Sequence, residues 1–119
     1  MRHAAQTYGV VANKTANSRE LGADLLLSAA AKLQTIRDGW DSKSTELDAA
    51  LHYNCKLWSI SVTSATSSEN PLPVVVRQNI ANLGLFVFKQ TLRILADPKP
   101  ENLGTLINSE LAAGLLGRA

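Results

Sequence analysis

Apolar residues recur along this chain at spacings of three and four, the period that gathers side chains onto one face of a helix. Leu21, Leu25, Ala29, Leu33 and Ile36 form the first clear stripe. Asn17, followed three residues later by Glu20, predicts a capping-box start for that helix, and Asp38-Gly39 predicts its end, with Gly39 as a C-terminal stop. Leu47, Leu51, Asn54, Trp58 and Ser61 or Val62 define the next helix, which runs to about Thr63 with Asp41, Ser42 and Ser44 as N-cap candidates. Upstream of both, Ala4 to Ala16 reads as a short, mobile helix presenting Tyr8, Val11 and Ala12.

Ser64 through Leu72 combines side chains that hydrogen-bond their own backbone with a proline and predicts a loop. Pro73 then suits the first turn of a helix reaching Ala96. This segment is apolar on several faces, with Val75, Ile80, Leu83, Val87, Leu92 and Leu95 among its residues, as expected of a central helix surrounded by others. The β-branched run Val74 to Val76 also suits a strand, but no second strand-like run exists to pair with it. Pro98-Lys99-Pro100 ends the helix. Pro100 and Glu101 open a last one bearing Leu103, Leu106, Ile107, Leu111 and Leu115, closed by Gly117. The expected fold is all-α, a single compact bundle of about four to five helices forming one domain over residues 1–119.

Composition agrees with a folded chain: 45% of residues are apolar and 18% charged, too apolar for intrinsic disorder. The formal charge of +2 is scattered from Arg2 to Arg118, without the dense basic patch of a nucleic-acid binder. The first residues lack the apolar core of a signal peptide, and the most apolar window, Ile80 to Ala96, is interrupted by Asn82, Lys89, Gln90 and Arg93, so membrane insertion is not expected. One cysteine, Cys55, permits no intramolecular disulfide and suits a reducing compartment, so the cytoplasm is the expected location.

Candidate chemistry is sparse. His52 and Cys55 are three apart on one helix, a spacing open to a metal pair or a Cys-His dyad, but His3 is the only other histidine. A buried thiol beside a surface imidazole is the simpler reading, and no metal or cofactor is expected. Asp38, Asp41, Glu46 and Asp48 cluster at a helix junction, where carboxylates favour the positive end of the next helix. No Gly-rich phosphate loop is present, so an enzyme is not expected. A helix-turn-helix reading would aim Arg77, Gln78, Asn79 and Asn82 at DNA bases. The preceding loop exceeds the three or four residues of that motif, and the reading helix would have to be the most buried one, so DNA is not an expected partner.

Asn54, Lys56, Leu57 and Trp58 bring an amide, a cation and large apolar groups into one turn, either a core anchor or a partner-binding hot spot; for Trp58 the core is favoured. Trp40, beside Gly39, is expected to be partly exposed. Phe86 and Phe88 cannot share one helix face, so one of them must look towards a different neighbour or a partner.

The segment Leu47-Asp48-Ala49-Ala50-Leu51-His52-Tyr53-Asn54-Cys55-Lys56-Leu57-Trp58-Ser59 resembles the ALxxNxxLW stretch of FlaF proteins. Glu69-Asn70-Pro71-Leu72-Pro73 is similar to that family's polar loop ending in N-x-L-P, and Arg77 with Ile80, Leu83 and Phe86 resembles its long apolar helix. Leu106-Ile107 through Gly114-Leu115 resembles its closing LI-x(6)-GL signature, while Ala5-x-x-Tyr8 and Ser18-Arg19-Glu20-Leu21 fit its opening. The chain departs from the family pattern at Cys55, where a basic residue is frequent, and at Ser109-Glu110, where an Asn-Arg-like pair is frequent. The resemblance implies a non-catalytic cytoplasmic protein of α-proteobacteria needed for flagellin synthesis or export and acting opposite the translational repressor FlbT. In the chaperone form of this expectation, a hydrophobic groove takes an amphipathic helix of unassembled flagellin and hands it to the flagellar export apparatus, with Asn54, Lys56, Leu57, Trp58, Phe86 and Phe88 as candidate contacts. The alternative is a post-transcriptional regulator that works through FlbT or flagellin mRNA without binding flagellin.

Overall fold

The computed structural model describes residues 21–118, all in helices and their connections. Helix α1 covers 21–38; a single turn, α2, spans Trp40–Lys43, and a 3-10 turn spans Ser44–Glu46. Helices α3 (Leu47–Thr66) and α4 (Val74–Ala96) form a long hairpin, and a 3-10 turn at Pro100–Leu103 leads into α5 (Gly104–Arg118). Four full helices and no strand among the described residues make this an all-α bundle, as the periodicity predicts. The expected short helix over 4–16 and the Asn17 cap lie outside the described residues.

One core runs through the bundle. Leu33 and Ile36 of α1, Leu47, Leu51 and Trp58 of α3, Val87 and Ile94 of α4, Leu103 of the last connection, and Leu106 and Ile107 of α5 are all buried in it. Burying a Leu, Ile or Val side chain stabilises by roughly 1.5–3 kcal/mol, so these ten residues dominate the fold's energetics. Two glycines permit close helix crossings. A Cβ on Gly84 would overlap Val62 Cγ2 across the α3–α4 hairpin, and one on Gly114 would come within 2.8 Å of Leu27 Cγ across α1–α5. Val62 is β-branched and stiff, so it cannot swing clear cheaply. Gly84→Ala is therefore expected to cost about 1–3 kcal/mol by overpacking, read as a lower urea midpoint at unchanged slope.

The α3–α4 turn explains the polar loop pattern. The last carbonyls of α3 have no intrahelical donors, and side chains supply them. Asn70 Nδ2 donates to Ser64 O at 2.9 Å, Arg77 Nε reaches back from α4 to Ala65 O at 2.9 Å, and Thr66 Oγ1 donates to Thr63 O at 3.2 Å. Asn70 Oδ1 also accepts from Leu72 N at 2.9 Å, fixing the chain as it enters Pro73. Arg77 thus places its cation at the negative end of α3 instead of reading bases.

Several punctuation marks behave differently from expectation. Helix α1 does end at Asp38, as Asp38-Gly39 predicts, but Gly39 takes φ −110° and not the left-handed conformation; its carbonyl accepts from Ser42 N and Lys43 N, and the chain turns directly into α2. Asp41, Ser42 and Ser44 cap nothing: α3 starts after Glu46 without a side-chain cap, because the intervening turns supply its first backbone bonds. Asp41 and Asp48 do stand in the first turns of α2 and α3, where the helix dipole favours them. Helix α3 extends to Thr66, three residues past the expected end, because the loop side chains satisfy its carbonyls. Helix α5 runs through Gly117 to Arg118. Helix α4 is not surrounded: Leu85, Leu92 and Leu95 leave one of its faces open.

Candidate functional site

Asn54 and Trp58 are one turn apart on α3, so the helix aims both side chains at the same neighbour. That neighbour is α5, which brings Glu110 opposite them. Trp58 Nε1 donates to Glu110 Oε1 at 3.2 Å, and Trp58, Asn54 and Glu110 are all buried. Burial pushes the Glu110 carboxyl up to about 7, against the opposing pull of Trp58 and of Asn54. Asn54 lies near enough to oppose the shift, yet its Oδ1 and Nδ2, and Glu110 Oε2, have no hydrogen-bond partner of normal geometry among the described residues. Near neutral pH this carboxyl is therefore poised between forms, and when protonated it gains an O–H that Asn54 Oδ1 can accept.

Glu110 is the residue sequence reasoning missed. Its position carries a signal: it lies four residues after Leu106 and four before Gly114, inside the inward stripe of α5. It is also one of the two places where the chain departs from the FlaF pattern.

The remaining expected contact residues are dispersed. Lys56 is exposed and Leu57 half-buried on α3. Phe88 packs against the core, whereas Phe86, two residues and about 200° away around the helix, is 39% exposed. Asn54 and Trp58 are inside, so a partner meets them only if the bundle opens; Trp58 is the core anchor. Trp40 is partly exposed, as its place beside Gly39 predicts, with the rest of the ring packed against the core.

Elsewhere, Lys32 and Glu46 pair across the junction of α1 with the 3-10 turn, and this hydrogen bond holds the Glu46 carboxyl below its usual range. The pair is exposed and tethers more than it stabilises. An open depression of about 320 Å³ lies beside it, lined by Trp40, Ser44, Thr45, Leu47, Asp48 and Pro98. His52 is exposed and Cys55 half-buried, and no group of three or more metal-ligating side chains occurs among the described residues.

The family motifs now have positions. Leu51, Asn54 and Trp58 of the α3 motif face inward, Asn70 ties the loop, and Leu106, Ile107 and Gly114 of the closing signature pack inside α5. The model of the flagellar protein FlaF family matches residues 4–115. This chain belongs to the FlaF family. No curated protein and no solved structure matches it. Membership ties this FlaF protein to the flagellum. None of its described helices is long and apolar enough to cross a membrane.

Proposed function

We propose that this FlaF protein acts on flagellin in the cytoplasm, binding the unassembled subunit and promoting its synthesis and export, and that it does so without catalysis. The observation that carries this reading is the apolar surface that a small folded bundle leaves uncovered: Leu85, Leu92 and Leu95 on one face of α4. Exposed apolar patches on a folded domain mark interaction sites, and helix-in-groove docking is the recurring way such a patch takes an amphipathic segment. Family membership supplies the flagellar context.

The test is co-elution of the purified protein with monomeric flagellin at low and high salt, followed by calorimetry. A one-to-one complex that persists at high salt is expected, because apolar burial is little screened. Binding of flagellin mRNA instead, weakening steeply with salt, or binding of FlbT without flagellin, would replace this reading with post-transcriptional regulation.

A further inference from the structure

Helix α4 carries a second apolar stripe that the core does not use. Ala81, Leu85, Phe88, Leu92 and Leu95 recur at alternating steps of four and three, the 3.5-residue period that keeps a seam against a partner helix along its length. The stripe is turned about 100° from the line of Gly84, Val87, Thr91 and Ile94 that packs into the bundle. Phe88 sits at the join, packed on the core, while Leu85, Leu92 and Leu95 are 56, 66 and 50% exposed.

Charge identifies the occupant. Lys89 and Arg93 stand exposed beside the stripe, and neither makes an ion pair among the described residues. Helix α4 contains no Asp or Glu, and the one carboxylate of α5, Glu110, is buried. Asp97, just past the end of α4, is paired with Lys99, so along the helix itself the face is apolar at its centre and cationic at its flank. A second copy docked through the same helix would set these cations against a face with no carboxylate to receive them. An amphipathic helix with Asp or Glu beside its apolar seam matches both features.

We propose that the outer face of α4 is the docking site for such an acidic-flanked amphipathic helix of the client protein, seated along Leu85, Leu92 and Leu95, with its carboxylates on Lys89 and Arg93. The placement rests on the flagellin-binding reading and makes it specific. Seated this way, the leucines supply most of the affinity, and the two cations fix register and partner choice.

The experiment is calorimetry of the full chain with monomeric flagellin, using Leu92→Ser, the double variant Lys89→Glu/Arg93→Glu, and Leu116→Ser as an exposed apolar control on α5, each checked for an unchanged urea melt. Leu92→Ser is expected to weaken binding at least about tenfold. The charge reversal is expected to weaken it about tenfold at low salt and less at high salt, with Leu116→Ser unchanged. Wild type that binds while the α4 variants bind equally well would overturn the placement and leave the flagellin reading standing. Wild type that does not bind flagellin would overturn both. Self-association of the free chain that Leu92→Ser abolishes, seen by light scattering, would assign the seam to a second copy and overturn the proposal.

Discussion

Replacing Trp58 with alanine lowers the stability of the bundle by about 3–5 kcal/mol, the largest single-residue effect expected in this protein. The indole is 2% exposed, lies against the α3–α4 crossing within 3.8 Å of where a Gly84 Cβ would stand, and supplies the donor for Glu110. Its removal opens a cavity at that crossing and leaves a buried carboxyl oxygen without its partner, and the two costs add. Trp58→Phe separates them: most of the apolar area stays, the N–H goes, and the loss should fall to about 1–2 kcal/mol. Urea melts of the three proteins decide the matter. A Trp58→Ala protein as stable as wild type that fails to bind its partner would make Trp58 a contact residue and contradict the packing described above.

The second large effect is a pH dependence that runs opposite to that of a salt-bridged carboxylate. In the fold the Glu110 carboxyl is held at about 7 against an ordinary value of 4.5, so between these limits the folded chain holds a proton that the unfolded chain has lost. Stability from this group is fully present below about 4.5 and is lost as pH rises through 7. The total is roughly 3 kcal/mol, enough to take a large share of a small domain's margin. Denaturation midpoints should therefore fall between pH 5 and pH 8. Glu110→Gln keeps an acceptor for Trp58 Nε1 and removes the titration. It should match wild type near pH 5, exceed it at pH 8, and flatten the profile. A wild-type profile already flat across this range would show that the carboxyl is hydrated.

The helices were legible because their signals are local. Stripes such as Leu47, Leu51, Asn54 and Trp58 need only the 3.6-residue period, and Pro73 and Pro98-Lys99-Pro100 interrupt the backbone by their own covalent geometry. Gly117 was misleading for a related reason. Glycine permits a left-handed stop without requiring one: α1 does end before Gly39, but with a negative φ there, and at Gly117 α5 continues. The candidate contacts were only partly legible. Periodicity shows that Asn54 and Trp58 share a face, but an inward stripe and a binding stripe look alike until the neighbouring helices are in place.

By itself, then, the sequence determined the all-α class, the four long helices of the described residues, the polar loop between α3 and α4 and the FlaF family, since each depends on residue chemistry within a few positions or on motifs in order along the chain. Tertiary structure alone decided which apolar faces are covered. It brought Glu110 to Trp58 across 52 residues of sequence, and it left the Leu85, Leu92 and Leu95 face of α4 exposed beside two cations without an ion pair among the described residues. The physical reason is that hydrophobicity states a preference for burial without naming a partner, and a carboxyl group's environment is set by the helices packed around it.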